Sequence, residues 1–186
     1  LRPNYLLTVV LSALIAALGM RSGQTAVVIG AMIIAPLLGP TMAMAMAATL
    51  GDSSLGRRSM LTLTVGIFAA LVFTFALGMV IEVDPLVTEL RNRTIVQPAD
   101  IALALACGAA GVLAFSQGAS LALVGVMIAV ALVPPIAAAG LFFGSGEYIL
   151  GFGALFLLAT NLVCINVAGI ATFLLQGLPP RNWRIT

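Results

Sequence analysis

The residues of this chain that could do chemistry are few, and which ones are missing narrows the reading at once. Histidine and lysine do not occur; eight arginines and six carboxylates leave a net charge of +2. Without histidine the chain lacks the commonest general base and metal ligand near neutral pH. Cys107 and Cys164 each fall inside an apolar run, far from any Cys-x-x-Cys spacing. No metal centre, redox chemistry or cofactor is expected. The nucleophile-and-base pair of a hydrolase is equally hard to assemble, so the chain reads as not an enzyme. The arginines stand singly or in pairs between apolar runs, which is loop decoration and no nucleic-acid surface.

What remains is the backbone. Pro36 and Pro40 flank Leu37-Leu38-Gly39, and Pro134-Pro135 interrupts a second apolar run. A proline removes one backbone donor and clashes with the preceding turn, so both helices are expected to break or kink, near Gly39-Pro40-Thr41 and near Pro135-Ile136-Ala137. A broken helix offers free carbonyls on one side and free N–H groups on the other, ends that bind ions without charged side chains. The candidate substrate-binding residues are Pro36, Gly39, Pro40, Thr41, Pro134, Pro135 and Asn161, the last near the middle of "LATNLVCINVAG". The alternative is packing: prolines that only kink their helices, with neighbours satisfying the freed groups, and Asn161 as an interhelical hydrogen bond worth about 0.6–2 kcal/mol. Met42, Met44 and Met46 invite a copper(I) reading, but a spacing of two puts Met44 on the opposite face, so apolar packing is expected.

The elements that must position these residues are membrane helices. The chain is 62% hydrophobic and 8% charged, whereas soluble domains run about 45–50% apolar and about 25% charged. Apolar runs at about 4–20, 25–50, 60–81, 99–116, 119–143 and 149–175 are too long for barrel strands, and a bilayer tolerates only backbone that is internally paired. The fold class is therefore all-α integral membrane, a single transmembrane domain over 1–186 with about six helices. The run from Tyr5 to Leu18 reads as a permanent helix and not a signal peptide. Leu1 opens the chain without an initiator methionine, so a soluble domain outside these residues is allowed for. If the N-terminus is cytoplasmic, that face carries Arg2, Arg57, Arg58, Arg181 and Arg184 against Arg21, Arg91 and Arg93 opposite, which favours both termini inside. In the polar interval Glu82–Pro98, Asp84 and Pro85 read as the cap and first residue of a short interfacial helix.

The chain also resembles itself. "GAMIIAPLLGP" at Gly30–Pro40 lines up with "GVMIAVALVPP" at Gly125–Pro135, a constant offset of 95 residues that also places Gly23 on Gly118. Halves of about 1–81 and 99–176, joined by 82–98, each hold three spans. An odd number forces the second half to enter from the other face, giving an inverted repeat with proline-broken second and fifth helices. Such repeats are frequent in secondary transporters. The expectation is a transporter or channel for a small ion or polar solute, with a central site at the broken helices; the alternative is a structural or lipid-binding membrane module without transport. Expected partners are membrane lipids, the solute and further copies of the chain, Gly19-x-x-x-Gly23 and Gly140-x-x-x-Gly144 making a dimer plausible.

The strings "AVVIGAMIIAPLLGP", "GVMIAVALVPP" and "TNLVCINVAG" resemble, in order and spacing, the uncharacterised hydrophobic domain family of bacteria and archaea catalogued as domain of unknown function 389. The resemblance covers nearly the whole chain. It implies a prokaryotic cell (inner) membrane protein, often with an extra soluble region, and it implies no established substrate.

Overall fold

The computed structural model describes residues 2–178; Arg181 and Arg184, counted above for orientation, lie outside them. The described residues form α1 (Pro3–Arg21), α2 (Thr25–Ile34), α3 (Leu38–Leu50), α4 (Ser53–Val80), α5 (Thr88–Arg91), α6 (Pro98–Ser116), α7 (Leu121–Ser145) and α8 (Tyr148–Leu175), with no strand among them. Five helices are long and apolar enough to cross a membrane, and a sixth span is made by α2 and α3, bent by 59° across a short break.

Local chemistry explains most of the boundaries. Pro3 and Pro98 stand in the first turns of α1 and α6, where a missing N–H is no loss. The Asp52 carboxylate accepts from the N–H groups of Ser54 and Leu55, both at 3.0 Å. That cap starts α4 at Ser53 rather than near residue 60, because a capped polar turn continues an apolar helix outward. Gly51 and Gly146, with φ of 71° and 87°, close α3 and α7 in the left-handed conformation that glycine adopts without strain. Asp84 and Pro85 do not open the short helix as expected. Asp84 instead accepts from the Leu86 N–H at 2.8 Å in a turn, and α5 begins only at Thr88.

The larger correction concerns the fifth span. It was expected to break at Pro134-Pro135, yet α7 runs through both prolines as one helix. It is also the axis of the bundle, 78% of its apolar window being buried against 28–44% for the other spans. Helices α1, α2, α3, α4, α6 and α8 all pack on it, which is why its sequence is apolar on every side.

Close approach to α7 is made by small residues. A β-carbon on Gly140 would fall on the Thr74 side chain of α4, and one on Gly144 would fall on the backbone of Phe75 and Gly78. The Gly140-x-x-x-Gly144 motif is thus spent inside the subunit. On the other flank, a β-carbon on Gly169 of α8 would lie 3.2 Å from that of Ala45 in α3. Shifted by 95 residues, the bounds of α1 fall on those of α6 and the bounds of α4 on those of α8.

Two sets of connections mark the two ends of the bundle. Arg21 Nε donates to the Glu82 carbonyl at 2.6 Å, and Thr25 Oγ1 donates to Glu89 Oε1 at 2.5 Å. These bonds gather the α1–α2 turn and the α4–α6 connection at one end. At the other, Ser116 Oγ donates to Gln176 Oε1 at 2.8 Å, tying the α6–α7 turn to the end of α8.

Replacing Gly140 by valine should lower the stability of the purified protein by about 2 kcal/mol or more, the scale of an overpacked core. Gly39→Ala, at an exposed glycine where an added β-carbon meets nothing within 4 Å, should leave the melting temperature in detergent unchanged. Equal effects of the two would refute the α4–α7 packing.

Candidate functional site

The candidate residues fall into two groups. The first is the break in the second span. Pro36 has no N–H to give, and Ala35 is already extended (φ −66°, ψ 118°), so α2 stops at Ile34 and α3 starts at Leu38. Pro40 then lies in the first turn of α3, where no donor is needed, so the break falls at Ala35-Pro36-Leu37 and not at Gly39-Pro40-Thr41. Pro36 and Pro40 are half-buried, Gly39 is exposed, and Leu37 and Thr41 are fully buried. The Thr41 hydroxyl is taken up locally, donating to the Leu37 carbonyl at 2.7 Å. No side chain caps α3, so the N–H groups of Leu38 and Gly39, in its first turn, have no helical partner.

The second group is Pro134, Pro135 and Asn161. Pro135 strips the carbonyl four residues back, that of Ala131, of its helical donor. The Asn161 side chain of α8 replaces it, Nδ2 donating to the Ala131 carbonyl at 2.9 Å in the buried interior. This bond re-pairs one of the two carbonyls that the prolines of α7 strip of their helical donors, the other being that of Val130. It satisfies only half of the amide: among the described residues the buried Asn161 Oδ1 has no partner, and Asn161 is only 5% exposed. Asn166, by contrast, turns its Nδ2 back to the Leu162 carbonyl of its own helix at 2.8 Å.

The 95-residue offset makes the difference between the two spans intelligible. Pro40 corresponds to Pro135, but Ala131 corresponds to Pro36 and Asn161 to Gly66. The first half therefore has a second proline where the second half has a bridged alanine, and a glycine where the second half has the bridging amide. Gly66 instead admits Tyr5, whose ring occupies the place of a side chain there. One span breaks and the other is mended.

The two groups share no hydrogen bond among the described residues. Leu38, the first residue of α3, faces α7 at Gly125, where an added β-carbon would lie 3.8 Å from that of Leu38. Gly125 precedes Pro134 by nine residues, about 13 Å along the helix. A concavity of about 530 Å³ at the ends of α4 and α7 is lined by residues such as Glu82, Asp84 and Ser145, and one of about 560 Å³ at the start of α4 by Ser53, Ser54, Arg57, Arg58 and Leu61. Neither includes a candidate site residue.

Sequence reasoning missed Ser12. Its buried hydroxyl donates to the Ala31 carbonyl in the last turn of α2 at 2.6 Å, fastening the half-helix before the break to α1. A lone serine within an apolar run was the available signal. Met42 is buried in the core, with Met44 and Met46 packed against it, as apolar packing requires.

The class of protein that this fold defines is a polytopic helical bundle built for a bilayer. The chain belongs to the family described as domain of unknown function 389, which it matches over residues 32–167. It is 34% identical over 178 residues to an uncharacterised protein of Methanocaldococcus jannaschii, an alignment covering 96% of this chain and 56% of that relative. The chain thus spans little more than half the length of the relative it matches. No solved structure matches it.

A double-mutant cycle tests the bridge. Asn161→Leu should destabilise the protein by about 1–2 kcal/mol, leaving a buried carbonyl unpaired. In a Pro135→Ala background, where an N–H is returned to Ala131, the same replacement should lose less than half as much. Unfolding in mixed detergent and SDS measures both; equal losses would show that Asn161 acts elsewhere.

Proposed function

We propose that this domain carries or conducts a small ion or polar solute across a prokaryotic cell membrane, between two oppositely oriented three-helix halves joined by residues 82–98. The observation that carries the reading is the 59° break of the second span. Non-helical backbone at membrane depth is tolerated only where it is buried in protein or lines a water-filled space. Here Ala35 and Leu37 of the break are buried, while Gly39, in the first turn of α3, is exposed and the uncapped start of that helix offers N–H groups and a positive dipole end. The solute site is accordingly placed at Pro36, Gly39, Pro40 and Thr41, with Pro134, Pro135 and Asn161 as the mended counterpart.

Opposed halves are supported by the common bounds of α1 with α6 and of α4 with α8. Reciprocal packing supports them as well. Thr74 meets Gly140, and their counterparts at the 95-residue offset, Gly169 and Ala45, meet each other. A two-fold relation between halves requires such pairs. The same proposal puts both termini in the cytoplasm, assigns no catalytic role to any side chain, and allows the exposed Ile29, Ile33 and Ile34 of α2 to face lipid or a second copy.

Reconstituted in vesicles and screened with monovalent cations, halides and phosphate, the protein should give flux above empty vesicles for at least one. Gly39→Leu should reduce that flux severalfold without lowering the melting temperature. No flux for any solute would favour the second reading, a structural or lipid-binding module, to which the mended α7 lends weight.

Orientation has its own test. With Cys107 and Cys164 replaced by alanine, single cysteines at Ser54 and Gln176 should react with an impermeant reagent only from the cytoplasmic side, and those at Glu89 and Glu147 only from outside. Ser54 and Gln176 labelling from different sides would end the case for opposed halves.

A further inference from the structure

We infer that the start of α4 holds an anionic phospholipid, its phosphate on Arg57 and Arg58 and its acyl chain along Met60 and Leu61. Helix α4 has 28 residues, about 42 Å at 1.5 Å each, against a hydrocarbon layer of about 30 Å. Its first two turns therefore stand in the headgroup layer, and the uninterrupted apolar run begins only at Met60. Arg57 and Arg58 are exposed at that boundary, at the depth of lipid phosphates.

The site is shaped as well as charged. Ser53, Ser54, Arg57, Arg58 and Leu61 line a concavity of about 560 Å³, which offers two guanidinium groups and two hydroxyls to one anion. A guanidinium matches phosphate through paired N–H donors. Leu61, in that lining, and the neighbouring Met60, which borders a second concavity with Asp52 and Arg57, are 58% and 59% exposed and begin the apolar surface of the helix. The charge comes from the arginines and not from the helix end, since Asp52 already occupies the Ser54 and Leu55 N–H groups. Among the described residues, neither guanidinium donates a hydrogen bond to a protein carboxylate.

The offset of 95 residues sharpens the inference. The counterparts of Ser53, Ser54, Arg57 and Arg58 are Tyr148, Ile149, Phe152 and Gly153, so the corresponding start of α8 carries no cation. A lipid bound at α4 alone is bound in one leaflet alone. It would hold this otherwise pseudo-symmetric bundle in one orientation, whether or not its centre conducts.

The test uses the purified full chain in phosphatidylcholine nanodiscs, titrated with phosphatidylglycerol and followed by native mass spectrometry and thermal shift. Phosphatidylglycerol should be retained preferentially and raise the melting temperature. Each of Arg57→Gln and Arg58→Gln should weaken retention about fivefold, the equivalent of about 1 kcal/mol per arginine near an anionic surface. The double variant should abolish the preference while melting as the wild type does in phosphatidylcholine alone. Arg91→Gln with Arg93→Gln, at the other end, should change nothing, and inorganic phosphate should neither stabilise the protein nor displace the lipid. Undiminished retention in the double variant, an equal loss in the control pair, or replacement by inorganic phosphate would each overturn the assignment.

Discussion

A helix with two adjacent prolines can stand at the centre of a membrane bundle only if the carbonyls they strip of donors are paired some other way. An unpaired carbonyl buried in an apolar interior costs several kcal/mol. In this protein the Asn161 amide reaches across from α8 to the Ala131 carbonyl, and the axis around which every other span packs stays a single helix. Residue 161 is therefore both a packing contact and a condition for the architecture. The cost is the buried Asn161 Oδ1, left without a partner among the described residues.

Once α7 is whole, the neighbours can come close. Glycines and a threonine line the α4–α7 contact, so backbone meets backbone, and dispersion over a tight contact supplies what hydrophobic burial cannot supply between helices already in lipid. This explains why Gly140-x-x-x-Gly144, a motif that reads equally well as a dimer face, is occupied inside the subunit. Packing at this distance leaves no room for a side chain as large as valine, and it ties the two halves of the chain to one another along their length.

The halves are alike in their bounds and unlike in their centres. With Gly66 in place of Asn161, the first half lacks the donor of the bridge, and with Pro36 in place of Ala131 it carries a second proline at the position of the bridged residue. Its span opens, and Ser12 fastens the loose half-helix to α1 instead. The same inequality recurs at the rim, where the arginines at the start of α4 correspond, at the 95-residue offset, to aromatic and apolar residues at the start of α8. The result is one broken span, one intact axis and one charged end.

Much of this was legible before any coordinates. Apolar runs of bilayer length fixed the helical class, because no other backbone arrangement pairs its own polar groups in lipid. Pro3, Asp52, Pro98 and the turn glycines carry the boundaries in their own chemistry, Asp52 starting α4 before its apolar run begins. The family, too, was written in three apolar strings. What the sequence could not decide was the fate of two similar proline pairs, since local geometry condemns both. Only the packing of α8 on α7 brings an amide to one carbonyl and none to the other. That contact joins residues 30 positions apart in the chain, and no local rule can anticipate a donor that arrives from another helix.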